Sequence, residues 1–105
     1  MNQKSIDTVV NQIVKFYKPD KIFLFGSYAS GIPTENSDID LLIIKSTNEK
    51  PLSRIRFIRN HLNPYPFALD IFVYTPNEYL SMKNSINTLP YYVNKEGKLL
   101  YSKDA

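Results

Sequence analysis

Phe23-Leu-Phe-Gly-Ser-Tyr-Ala-Ser-Gly-Ile-Pro-Thr-Glu-Asn-Ser-Asp-Ile-Asp-Leu-Leu-Ile-Ile44 is the stretch on which the reading of this chain turns. An apolar run ends at Gly26-Ser27, ten residues follow, and Asp38-Ile39-Asp40 opens a second apolar run. If residues 38–44 form a strand, the two-residue side-chain period puts Asp38 and Asp40 on one face. Their Cα atoms are then about 6.6 Å apart, and at an effective dielectric of 20 the two carboxylates repel by about 2.5 kcal/mol. An apolar strand gains nothing from such a pair unless a cation sits between them. With only oxygen ligands and no Cys or nearby His, magnesium or manganese is expected ahead of zinc.

The flanking residues supply the rest of a small fold. Ile6, Val9, Val10, Ile13, Val14 and Tyr17 recur at helical spacing, with Ser5 as the expected N-cap, Asp7 in the first turn and Pro19-Asp20 as the stop. Ile22–Phe25 reads as a buried strand. Gly26-Ser27 then begins a small, polar turn whose amides can approach a phosphate, followed by a short helix. Residues 32–37 read as a loop. The run Leu41-Leu42-Ile43-Ile44 implies a central strand buried on both faces. Leu52, Ile55, Ile58 and Leu62 mark a second amphipathic helix with Pro51 in its first turn, and Arg54, Arg56 and Arg59 lie mainly off that stripe, as a solvated face. His61, the only histidine, reads as a helix-end residue.

After the turn-rich Asn63-Pro64-Tyr65-Pro66, residues 67–74 form a strongly strand-favouring run with one charge, Asp70, in its middle. A carboxylate buried there without a partner would cost several kcal/mol, so a cation, a donor or an open cleft is expected beside it. The alternative is an edge strand that shows Asp70 to water. Thr75-Pro-Asn-Glu78 is a capping box that starts a helix carrying Tyr79, Leu80 and Met82 as packing residues. Leu89–Glu96 reads as a last helix ended by Gly97, and Lys98–Tyr101 as a terminal strand. The sum is a single domain over residues 1–105 of α/β (α+β) type. Its mixed sheet of about four strands is flanked by helices on one face or both.

Composition narrows the partners. A chain of 105 residues buries somewhat over about 60% of its unfolded surface, enough for one modest core, so a large acceptor is expected to arrive on another chain. The net charge of +3 comes from scattered lysines without a dense basic stripe, and no direct nucleic-acid contact is expected. The absence of cysteine and of a continuous apolar segment fits a cytoplasmic protein with no membrane association.

Three aspartates on neighbouring strands, facing a phosphate-cradling turn, suit two-metal phosphoryl chemistry. In that arrangement Asp38 and Asp40 hold magnesium on a triphosphate. Asp70 helps bind a second ion and takes the proton of an incoming hydroxyl. Gly26 and Ser27 fix the β and γ phosphates, so that attack falls on the α-phosphorus and pyrophosphate leaves. The pattern Gly26-Ser27, ten residues, Asp38-Ile39-Asp40, with Asp70 in Leu69-Asp70-Ile71 as third carboxylate, resembles the signature of the DNA polymerase β nucleotidyltransferase superfamily. The short length and the closing Glu96-Gly-Lys-Leu-Leu-Tyr101 resemble its minimal nucleotidyltransferase (MNT) group.

That resemblance implies an Mg2+-dependent antitoxin that transfers AMP from ATP to a tyrosine of a HEPN-domain ribonuclease toxin and forms a hetero-oligomer with it. It also implies two Mg2+ ions, with Mn2+ as a substitute. A departure stands at Ser30, where such proteins often carry arginine, and the missing charge implies weaker triphosphate binding. Rival readings are a non-catalytic antitoxin that masks its partner, and transfer to a small molecule such as an aminoglycoside.

Overall fold

The computed structural model describes residues 3–33, 37–64 and 68–104. In chain order the elements are α1 (Gln3–Tyr17), β1 (Lys21–Phe25), α2 (Ser27–Ser30), β2 (Ile39–Ile44), α3 (Pro51–His61), β3 (Leu69–Tyr74), α4 (Pro76–Met82), α5 (Leu89–Glu96) and β4 (Lys98–Ser102). The strands form one sheet of order β3-β2-β1-β4. β1 pairs antiparallel with both β2 and β4, whereas β2 and β3 are parallel. The parallel pair requires a crossover, and α3 supplies it. This is the mixed α/β sheet expected from the sequence, with the direction of β3 now defined.

β2 is the spine. Leu41, Leu42 and Ile43 are fully buried and Ile44 nearly so, because a strand with neighbours on both sides and helices over both faces has no solvated side. Ile39, Leu41 and Ile43 face one core with Ile22, Leu24, Ile71 and Val73, closed by α1 and Ile58 of α3. Each such side chain contributes about 1.5–3 kcal/mol by leaving water. Leu42 and Ile44 face the other way, into a smaller cluster with Phe25 and Val93, against which Phe23 and Tyr79 pack.

Several expectations need correction. Helix α1 is already in place at Gln3, so Ser5 lies inside it rather than capping it, and no acidic residue occupies the first turn. β2 begins at Ile39, which donates its N–H to the carbonyl of Ala68 at 2.8 Å; Asp38 stands just outside the ladder. β3 begins at Leu69 rather than at position 67, and residues 34–36 and 65–67, part of the expected loops and of that run, lie outside the described residues. Leu52 is exposed despite its place in the apolar stripe.

Arg54 is the larger surprise, being 5% exposed rather than solvated. Its guanidinium donates to both carboxylate oxygens of Glu78, at 2.8 and 3.2 Å, and to the carbonyls of Glu49 and Val73. Glu78 also closes the expected capping box, accepting from the Thr75 N–H while its own N–H donates to Thr75 Oγ1. One carboxylate thus starts α4 and anchors α3. His61 ends α3 as expected, stacked on Phe57 with ring centroids 4.0 Å apart. Beyond β4, Lys103 donates its N–H to the Asp20 carbonyl and pairs with the Asp20 carboxylate.

Candidate active site

The sheet's mixed topology brings the acidic residues and the Gly-Ser turn to one rim. β2 and β3 run in the same direction with Asp40 opposite Asp70, so two carboxylates on the same face stand one strand apart, about 4.8 Å. β1 runs against β2 with Phe25 opposite Asp40, so the end of β1, and the turn after it, lies beside the start of β2.

Gly26 sits where only glycine fits. Its backbone has φ +77 and ψ −154, a region essentially closed to residues with a Cβ. A Cβ added there would run into Asp40 Oδ2 and come within 3.4 Å of Asp40 Cγ. Backbone and carboxylate are therefore in direct contact. The Gly26 carbonyl accepts from the N–H groups of Ala29 and Ser30, both at 3.1 Å, which starts the one-turn helix α2. Ser27 is exposed at its head. Ser30 spends its hydroxyl on the Ser27 carbonyl at 3.0 Å, so the charge expected at that position has no substitute there.

Asp40 is half-buried, and its pKa is pushed up to about 6. Burial contributes most, followed by the negative charges of Asp70 and Asp38 and by a hydrogen bond with the Asp70 carboxyl. Burial and two neighbouring negative charges thus disfavour the ionised form of Asp40, an electrostatic cost that a bound cation would offset. The donor chemistry, all carboxylate oxygen, fits a hard divalent ion at Asp40 and Asp70. Asp38 is exposed just before the strand, and among the described residues no three acidic or histidine side chains already converge as a ready-made cage. Asp70 is itself exposed, on an edge strand. This is the edge-strand alternative raised by the sequence, with Asp70 shown to water and the Asp40 carboxyl beside it.

A cavity of about 490 Å³ lies between α1 and α3, lined by residues such as Tyr17, Lys45 and Phe57, and Phe72 and Tyr92 each line a further one. Aromatic rings border the carboxylates. Phe25, opposite Asp40, lies 5.8 Å from Phe72 and 6.1 Å from Tyr92, ring centroid to centroid. The sequence reading passed over these rings, although the alternation that aligns Asp40 and Asp70 also puts Phe72 on that face.

A turn held against paired strand carboxylates on a small mixed sheet defines the class of nucleotidyltransferases. The comparisons agree, and residues 8–105 match the model of the family described as polymerase beta, nucleotidyltransferase. The chain belongs to that family and is a nucleotidyltransferase.

Two relatives come from Methanocaldococcus jannaschii. "Putative protein adenylyltransferase MJ1305" is 29% identical over 99% of this chain and 77% of its own length. "Putative protein adenylyltransferase MJ0604" is 50% identical over 40% of this chain and 44% of its own. Among solved structures, a protein described as a "putative nucleotidyltransferase" from Sulfolobus solfataricus superimposes with a TM-score of 0.69 at 17% identity, covering 96% of this chain and 80% of that one. A mutant MntA-HpeT toxin-antitoxin superimposes with a TM-score of 0.51 at 20% identity, covering 97% of this chain and 73% of that one. At these identities the solved structures speak for the fold. Among the described residues no helix is long and apolar enough to cross a membrane.

Proposed function

We propose that the chain is an antitoxin that transfers AMP from ATP to a tyrosine hydroxyl of a HEPN-domain ribonuclease and so silences it. The observation that carries this reading is the Asp40–Asp70 pair, in register on adjacent strands with Gly26 pressed against Asp40. Support for a protein acceptor comes from the two relatives named as protein adenylyltransferases. The likeness to a toxin-antitoxin component supports the kind of partner.

In this reading the turn at Gly26 and Ser27 receives the β and γ phosphates. Asp40 and Asp70, joined by Asp38, would hold Mg2+, which when bound neutralises the triphosphate and the pyrophosphate that leaves. Asp70, the exposed member of the pair, accepts the proton of the incoming hydroxyl as its oxygen bonds to the α-phosphorus. The bond from that phosphorus to the bridging oxygen of pyrophosphate then breaks. Pre-set geometry and charge neutralisation do most of the work.

The test is incubation with Mg2+, α-labelled ATP and the HEPN-domain protein encoded beside this chain. Label on that protein is expected. Label acquired only from γ-labelled ATP would mean phosphoryl rather than nucleotidyl transfer, and would end the proposal. A second reading is neutralisation by masking alone, supported by the uncharged Ser30, whose hydroxyl is spent on the Ser27 carbonyl. Full neutralisation by the Asp38→Ala/Asp40→Ala double variant would establish it in place of transfer.

A further inference from the structure

We propose that Phe25, Phe72 and Tyr92 form a stacking slot for the base of the nucleotide donor, an inference that rests on the nucleotide-transfer reading. Phe25 is opposite Asp40 across the β1–β2 pair, and Phe72 follows Asp70 by two residues on β3. Strand alternation therefore puts both rings on the carboxylate face, with Phe72 about 6.6 Å along the strand from Asp70. That is the kind of step a ribose makes between its α-phosphate and its base.

Phe25 is buried and packs against both of the other rings. Its ring is inclined 50° to Phe72 and stands nearly edge-on, at 81°, to Tyr92. These two rings rise from different elements, an edge strand and α5. They keep 37% and 43% of their surface exposed, more than packing against the core requires. Large aromatic faces left in water beside a site for an anionic ligand are what a planar, apolar-faced group would cover.

The occupant follows from what the cluster lacks. Apart from the Tyr92 hydroxyl it carries no hydrogen-bonding side chain to read the edge of a base. Stacking tolerates any base because each has a π face. The slot should therefore strengthen binding of all nucleoside triphosphates, purines more than pyrimidines, without strict choice between adenine and guanine.

Calorimetric titration of the full chain with ATP, GTP, CTP and tripolyphosphate, each in excess Mg2+, tests this. Replacing Phe72 by Ala should weaken ATP and GTP by about 5- to 150-fold, CTP by less, and tripolyphosphate not at all. Phe72→Leu keeps apolar volume on the strand while losing the π face. It should melt like the wild type and still lose nucleotide affinity, and Phe72→Tyr should retain it. Unchanged ATP affinity in both Phe72→Ala and Phe72→Leu overturns the slot, as does a parallel loss for ATP and tripolyphosphate. Weaker use of the acceptor protein with intact ATP binding would overturn it too, by assigning the rings to the acceptor. If the wild type binds tripolyphosphate as tightly as ATP, the slot fails while phosphate recognition stands. If it binds neither, nucleotide transfer itself fails, and the slot with it.

Discussion

Replacing Asp40 with asparagine should make the metal-free protein more stable while ending catalysis. The pKa of Asp40 lies at about 6 rather than its ordinary 3.8, which corresponds to about 3 kcal/mol of penalty on the charged form at neutral pH. Coulomb's law gives a similar figure, about 3.5 kcal/mol, for two charges 4.8 Å apart at an effective dielectric of 20. Asp70 is exposed and Asp40 half-buried, so solvent screening reduces this to about 1–2 kcal/mol. Asparagine keeps the shape of the carboxyl group and can donate to Asp70. The gain should raise Tm by about 5–10 °C.

The pH dependence has a definite sign. The folded-state pKa is raised, so the penalty is absent where Asp40 is protonated in both states, below about 3.8, grows as pH rises, and is complete above about 6. Melting of wild type and Asp40→Asn in EDTA at pH 7.5 should show the full gap, and at pH 4 most of it should have closed. Excess Mg2+ at pH 7.5 should narrow the gap by stabilising the wild type alone. A variant that melts at or below the wild type in EDTA at pH 7.5, or a gap that does not change between the two pH values, would refute the view that burial and crowded negative charge raise this pKa.

Other perturbations address the turn and the scaffold. Gly26→Ala meets both a backbone closed to it and the Asp40 carboxylate. It should cost about 1–3 kcal/mol in urea denaturation and abolish transfer, since relieving the clash moves Asp40 off Asp70. Arg54→Ala leaves Glu78 and two carbonyls without their donor. Breaking a fully buried ion pair costs about 3–5 kcal/mol. With Glu78 36% exposed, about 2–3 kcal/mol is expected in the same assay. The pKa of Glu78 is lowered, chiefly by its hydrogen bond from Arg54. Its stabilisation is therefore complete above the ordinary value of 4.5 and lost as pH falls through the folded value. Glu78→Gln should flatten the acid limb of the stability curve and leave its neutral limb parallel to that of the wild type.

Much of the fold was legible because its signals were local. The apolar run after Asp40 implied a central strand, as found, and the Thr75–Glu78 capping box formed as read. Arg54 was misplaced because its partner lies 24 residues away, and nothing within α3 shows that Glu78 will come to rest there. Ser5 was misread because a polar residue near the start of an apolar pattern resembles a cap until the preceding turn is known. At the candidate site, Asp38 and Asp40 were singled out by their spacing, Asp70 as the one charge in an apolar run, and Gly26 and Ser27 by their place directly after a strand. The contact of Gly26 with Asp40 and the rings around them depend on strand register, which spacing does not reveal.

Register also explains why so small a protein can bring these groups together. A wholly antiparallel sheet would put the starts of β2 and β3 at opposite ends, parting Asp40 from Asp70. A wholly parallel one would carry the end of β1, and with it Gly26, to the far rim. Only a central strand parallel to one neighbour and antiparallel to the other gathers a strand end and two strand starts on one edge. A slip of one residue in either pairing would turn a required side chain to the opposite face. The buried side chains of Ile39, Leu41 and Ile43 make such a slip costly by facing the larger core. The apolar alternation that stabilises the sheet therefore also holds the carboxylates in place, and the repulsion between them is a local cost that a strongly packed β2 can carry.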